Sequence, residues 1–165
     1  MIHITSILNG QITENEILQA VSKLKNNKAP GYDKLCNEYI CTSVSCVLPL
    51  YVDFFNLIYD SGIVPEEWLI GIIKPIYKNK GDPTLPENYR PITLLSCLGK
   101  LFTSILCERL NIFSESVELI TEAQTGFRKV YSTVDNILLL NFLCKFMISS
   151  KKKTLLRFHR LQTSF

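Results

Sequence analysis

The chain has 165 residues, 47% of them hydrophobic and 10% aromatic, which excludes a disordered protein and provides the material for one packed domain. The formal net charge of +3 is too small to mark a nucleic-acid binder by total charge, so any such site has to be a local patch. Charge is unevenly placed, because no acidic residue follows Asp135, whereas Lys145, Lys151, Lys152, Lys153, Arg157 and Arg160 all do.

At the N-terminal end, Met1 to Gly10 lacks the charged start and long apolar core of a signal peptide. Thr13 followed by Glu16 has the spacing of a capping box, and Ile17, Leu18, Val21 and Leu24 give the helix behind it one apolar face, predicting a helix to about Lys25. Two asparagines, Pro30 and Gly31 then break it. The lysines around this break, Lys23, Lys25, Lys28 and Lys34, fit two readings: a solvated helix end favoured by the helix dipole, or a loop that contacts a nucleic-acid backbone.

Asn37 to Asp60 reads as one or two helices, with Val44, Val47, Leu48, Tyr51, Val52, Phe55 and Ile58 on the buried side and Pro49 as a break or a first-turn residue. Pro49 and Asp53 interrupt Val44 to Tyr59, and Asp135, Asn136, Asn141 and Lys145 interrupt Val134 to Ile148, so neither stretch is expected to span a bilayer. Gly62 ends the helix and Pro65 restarts the chain, with Glu66 and Glu67 suited to a new first turn and Trp68 expected to pack rather than to stack on a base.

Leu69 to Tyr77 is a short apolar, β-rich run carrying Lys74, and it is closed by the turn-forming Lys78-Asn79-Lys80-Gly81-Asp82-Pro83. The loop is expected to end at Asn88-Tyr89-Arg90-Pro91, with Ile92 to Leu95 as the second strand of a hairpin whose basic tip gathers Lys74, Lys78, Lys80 and Arg90. From Cys97 the period changes, and Leu98, Leu101, Phe102, Ile105, Leu106, Arg109 and Leu110 mark an amphipathic helix. Asn111 to Glu122 reads as a polar connection held down by Phe113, Val117, Leu119 and Ile120. Ser132 or Thr133 then caps a last helix through Val134, Ile137, Leu138, Phe142, Lys145 and Phe146. The six cysteines show no two-residue spacing and sit in apolar helical patterns, so reduced thiols in an intracellular protein are expected rather than a zinc site or a disulfide framework.

Four strings in order carry a resemblance: Leu24 to Asp33 (LKNNKAPGYD) with Asn37-Glu38 after it; Trp68 to Asp82 (WLIGIIKPIYKNKGD); Asn88-Tyr89-Arg90-Pro91-Ile92-Thr93 with the following Gly99 and Glu108-Arg109-Leu110; and Glu122 to Arg128 (EAQTGFR) with Ser132-Thr133. Together they resemble the fingers region of reverse transcriptases of jockey-like retrotransposons without long terminal repeats, over roughly Thr13 to Lys153. The resemblance implies a mainly helical α+β fold, the fingers and the start of the palm of a right-hand polymerase, with one small antiparallel hairpin and the domain incomplete. It divides the chain into an N-terminal flank (1–12), a fingers and partial-palm segment (13–153) and an aberrant tail (154–165).

By the same resemblance, Lys74, Lys78 and Arg90 are expected to hold the triphosphate of an incoming nucleotide. Arg90 comes first among them because a guanidinium binds phosphate bidentately. Lys28, Gln124, Gly126, Phe127 and Arg128 are expected to contact the template, which positions a strand without reading its sequence. Taken locally, the first set also reads as a solvated hairpin tip and the second as a loop before a helix. The complete enzyme is expected to use an RNA template, a DNA primer, deoxynucleoside triphosphates and two Mg2+ ions held by palm carboxylates. No carboxylate pair here is a convincing holder of those ions, since Glu66-Glu67 opens a helix and Glu14 with Glu16 is explained by capping.

In the family a strand bearing the first catalytic aspartate follows the position of Lys151-Lys152-Lys153. Codons can be chosen for Thr154 to Phe165 so that reading from the second base spells Leu-Tyr-Cys-Ala-Phe-Ile-Asp-Phe-Lys-Gln-Ala, an apolar strand with an aspartate. A frameshifted tail and a wrong exon end are the two explanations left open. The chain is therefore expected to be inactive as a polymerase by itself, with apolar surface free for self-association. The alternatives are a non-catalytic nucleic-acid-binding module, an inert product of a decayed element, or a helical interaction protein.

Overall fold

The computed structural model describes residues 8–121, 124–126, 128 and 131–153, so most of the N-terminal flank, the tail 154–165 and Phe127 lie outside the described residues. The element order is α1 (Glu14–Ser22), α2 (Asn37–Ser61), the single-turn α3 (Glu66–Leu69), β1 (Ile72–Tyr77), a 3-10 turn (Pro86–Asn88), β2 (Tyr89–Leu94), α4 (Cys97–Ser116) and α5 (Thr133–Ser149). The chain divides into two compact units, one ending at Val117 and one beginning at Glu118.

In the first unit α1 packs on α2 and α4. Thr13 and Glu16 form the reciprocal capping box that their spacing predicts, and Ile17, Ala20 and Val21 enter the core. Leu18, assigned to the same apolar face, is exposed, because Ala20 and not Leu18 completes the three-four stripe with Ile17 and Val21. Ile40, Val44, Phe55 and Ile58 come from α2, and Cys97, Leu101, Phe102 and Ile105 from α4. Phe55 sits at the centre, its ring within 5.5 Å of Phe102 and 6.5 Å of Trp68, and Trp68 meets Phe54 edge-on at 5.9 Å. Trp68 is thus a packing residue.

Pro49 neither ends α2 nor passes unnoticed. Lacking an N–H and crowding the carbonyl of the preceding turn, it leaves Val47 outside helical geometry, and the helix runs on through a kink. α2 is by length and composition long and apolar enough to cross a membrane, which the reading of its sequence as interrupted did not allow. Four of its side chains are nonetheless committed to the core of this unit. Gly62 closes it in the left-handed conformation that a glycine adopts without strain.

Several boundaries differ from the sequence expectation: the first helix ends at Ser22 rather than about Lys25, and Leu69 belongs to α3, so that β1 begins only at Ile72. β2 begins at Tyr89, three residues before Ile92, because Tyr89-Arg90-Pro91 pairs with Pro75-Ile76-Tyr77. α4 continues through Asn111 to Ser116, since nothing in Asn-Ile-Phe-Ser-Glu-Ser breaks a helix already nucleated upstream. Leu110, placed on the apolar stripe of that helix, is exposed, and of the residues expected to hold the connection down Val117 and Leu119 are exposed while Phe113 and Ile120 are half-buried.

The buried cation of α4, Arg109, ties three segments together. Its Nε and Nη2 donate to the two oxygens of Glu16 at 2.6 and 2.8 Å, and Nη1 and Nη2 donate to the carbonyls of Gly10 and Gln11 at 2.6 and 2.8 Å. The Glu16 carboxyl is held below its ordinary pKa by these bonds from Arg109 and by the Thr13 cap, against the opposing effect of its partial burial.

In the second unit, Ser132 caps α5 and exchanges hydrogen bonds with Asp135 as a second capping box. α5 buries none of its described side chains.

Candidate nucleic-acid interface

The hairpin is a two-stranded antiparallel pair in which Ile72 faces Leu94, Lys74 faces Ile92, Ile76 faces Arg90 and Tyr77 faces Tyr89. Opposed residues share a face and neighbours along a strand alternate. One face therefore carries Lys74 and Ile76 with Arg90 and Ile92, and the other carries Pro75 and Tyr77 with Tyr89 and Pro91. Lys78, whose N–H donates to the carbonyl of Asn88 at 2.8 Å, continues the first face beyond the strand end. Arg90 is diagonal to both Lys74 and Lys78, at roughly 7–8 Å across the ladder. The structure brings these three predicted cations onto one exposed face.

Proline placement interrupts both edges of the pair. The Lys78–Asn88 bond sets the alternation so that 76/90 and 74/92 are hydrogen-bonded pairs and 75/91 is not. Pro75 and Pro91, opposite each other, thus lack their N–H groups where these would point out of the ribbon, and neither edge offers a continuous row for another strand.

The tip is ordered by its own polar groups. Asp82 accepts from the N–H and hydroxyl of Thr84 at 2.8 and 2.7 Å, which holds its carboxyl below the ordinary aspartate range. Asn88 donates to the carbonyl of Asp82 at 2.7 Å, Tyr89 to that of Pro83 at 2.9 Å, and Tyr77 to that of Gly81. Gly81 adopts a φ of +86°, and a Cβ there would stand 2.6 Å from the Asn88 side chain. Lys78 turns its ammonium back onto the carbonyl of Glu87 at 2.7 Å. Lys74 and Arg90 have no such partner among the described residues. The tyrosine pair, with rings 5.4 Å apart, and the tip hydrogen bonds were not singled out by sequence reading; the matched Tyr77 and Tyr89 flanking a turn were the available signal.

Lys28 belongs to a different loop of the same unit and is exposed. That loop is fastened on both sides of it. Asn37 donates to the carbonyl of Lys25 at 2.8 Å and Glu38 accepts from the N–H of Asn27 at 2.5 Å. On the other side Ser96 donates to Asp33 at 2.6 Å.

Of the remaining predicted residues, Gln124, Gly126 and Arg128 lie in the second unit, in the segment before α5. Arg128 donates to the carbonyls of Thr121 and Gln124 at 3.2 and 3.4 Å and lies 4.5 Å from the Tyr131 ring centre, so its guanidinium organises its own loop. A Cβ at Gly126 would meet nothing. Among the described residues no group of three or more His, Cys, Asp or Glu could hold a metal ion, so they do not fit the metal pair that the resemblance implies for the complete enzyme.

No family model matches the chain. It is 34% identical over 127 residues to the probable RNA-directed DNA polymerase from transposon BS of Drosophila melanogaster, which covers 76% of the chain and 14% of that protein. It is 31% identical over 122 residues to the probable RNA-directed DNA polymerase from transposon X-element, and 32% over 126 residues to that of mobile element jockey, both of Drosophila melanogaster. These two matches take in 74% and 76% of the chain and 13% and 14% of the relatives, so the chain spans about one seventh of their length. With several such relatives agreeing over three quarters of its residues, the chain belongs to the family of RNA-directed DNA polymerases of jockey-like and other non-long-terminal-repeat mobile elements, of which it corresponds to one segment.

Proposed function

We propose that residues 13–153 form the fingers and the start of the palm of such a polymerase, and that the chain's own activity is to bind nucleic acid and nucleotide phosphate without polymerising. The observation that carries this reading is the hairpin register, which gathers Lys74, Lys78 and Arg90 on one solvent-facing surface. Phosphoryl transfer builds charge on the transferred group, and fixed cations beside it stabilise that charge. Arg90 offers a planar fork to two phosphate oxygens, while Lys74 and Lys78 act as point charges on either side. Lys28, Gln124, Gly126, Phe127 and Arg128 contact the template backbone. In the complete enzyme the partners are an RNA template, a DNA primer and deoxynucleoside triphosphates, in an intracellular setting.

A non-catalytic nucleic-acid-binding module is the same reading without the complete enzyme.

Fluorescence anisotropy of the full chain with a labelled single-stranded RNA tests it. Affinity should fall as salt rises, and Arg90→Ala should flatten the slope of log K against log salt by about 0.7, the share of one phosphate contact on a single strand. Binding that is absent at low salt, or that ignores both salt and Arg90, refutes the proposal.

A further inference from the structure

The loop that presents Lys28 docks on the junction between β2 and α4 through a contact that sequence reading did not find. Gly31 is buried there, and a Cβ on it would stand 2.5 Å from the backbone nitrogen of Ser96 and 2.6 Å from the carbonyl carbon of Leu95. Only a glycine lets the two backbones approach so closely. Two residues later the Asp33 carboxylate spans the contact: one oxygen accepts from the buried Ser96 hydroxyl at 2.6 Å, the other from the N–H of Leu35 at 3.2 Å. The Ser96 oxygen accepts in turn from the N–H of Gly99, capping α4, so the bond to Asp33 also orients the cap.

We propose that Asp33 is a positioning residue: by fixing the Lys28 loop to the base of the strand that carries Arg90, it makes Lys28 and the hairpin cations engage one nucleic-acid strand as a single surface. This deepens, and rests on, the reading of the hairpin as a nucleic-acid interface. The far side of the loop is already held to α2 by Asn37 and Glu38. With Asp33 in place, Lys28 stands on a short span fixed at both ends. Chain reach limits Lys28 and Arg90 to a separation of at most about 30 Å, three extended residues to Gly31 and five along β2 from Leu95. That is within the span of an oligonucleotide of modest length. Ordering the loop in advance removes an entropy cost that binding would otherwise carry.

The test uses the full chain, a fluorescein-labelled single-stranded RNA of about 20 nucleotides and a salt titration. On charge alone, Asp33→Ala removes a negative group and should tighten binding. The positioning role demands the opposite: affinity about fivefold lower at 0.1 M salt and a slope flatter by about 0.7, both equal to the effect of Lys28→Ala. Asp33→Asn removes the same charge but keeps an acceptor for Ser96, and should bind at least as well as wild type. Combining Asp33→Ala with Lys28→Ala should add nothing to either single change. A purely structural role for Asp33 would leave the slope unaltered. Wild-type binding combined with additive losses, or with Asp33→Ala at or above wild-type affinity, overturns the positioning role alone. Absence of wild-type binding overturns both this proposal and the reading on which it rests.

Discussion

Replacing Arg109 by methionine keeps the length of the aliphatic stem and removes the guanidinium. The side chain of Arg109 is only 7% exposed, and its loss strands the Gly10 and Gln11 carbonyls and takes the bidentate partner from Glu16. Breaking one half of a fully buried ion pair costs about 3–5 kcal/mol. Glu16 retains its Thr13 cap and is 29% exposed, so water recovers part of its solvation and the lower end, about 3 kcal/mol, is expected. Urea unfolding followed by the fluorescence of Trp68, the single tryptophan, which packs half-buried against the core of the same unit, reads this directly. Glu16→Gln should cost less, because the amide oxygen still accepts one bond. The double variant should cost less than the two single costs added, since each leaves the other's partner stranded. A cost below about 1 kcal/mol for Arg109→Met, or strict additivity, would refute the assignment of Arg109 as the tie between the N-terminal segment, α1 and α4.

The same pair predicts a pH dependence. Because the Glu16 carboxyl is held below the 4.5 of a free glutamate, its contribution is complete above that value and is lost as pH falls through the lowered folded value; acid unfolding of Arg109→Met should show a smaller component, only the Thr13 bonds remaining to lower the carboxyl. Phe55→Ala, at a site with no exposed surface and aromatic neighbours on several sides, should cost about 3–5 kcal/mol by the same urea titration. Gly31→Ala should destabilise the first unit by about 2 kcal/mol or more, as backbone on both sides has no room for a methyl; an unchanged midpoint would show that the close approach is not made in solution. Iodoacetamide with mass mapping should modify the exposed Cys46 and Cys107 well before Cys97, whose thiol is buried and whose pKa burial pushes up.

What could be read ahead of the structure was what local chemistry decides. The Thr13–Glu16 and Ser132 caps, the Gly62 stop and the hairpin all depend on residues close in sequence, and each took the form its spacing implies. The hairpin register was harder, because Tyr89-Arg90-Pro91 contains a proline and follows a polar turn, both marks of a loop. Only the opposing Pro75 and Tyr77 make it a strand. Arg109 and Asp33 depend on partners 93 and 63 residues away, and no spacing rule reaches that far. Arg109 was visible as a cation within an apolar stripe, which indicates burial but not the carboxylate that receives it.

The arrangement on the hairpin also explains why its cations and isoleucines alternate. Lys74 stands opposite Ile92 and Arg90 opposite Ile76, so each charge is flanked by aliphatic surface and separated by a ladder diagonal from the next charge. Spacing by roughly 7–8 Å limits repulsion among cations that lack acidic partners. The aliphatic flanks lower the local dielectric once a ligand covers them, which strengthens attraction for a phosphate more than solvent-surrounded lysines would. Uncovered, those isoleucines contribute little to stability, and Ile76 and Ile92 remain 45% and 44% exposed. On the proposed reading, this alternation suits the face to a phosphate-bearing ligand, which would cover the isoleucines as it meets the cations.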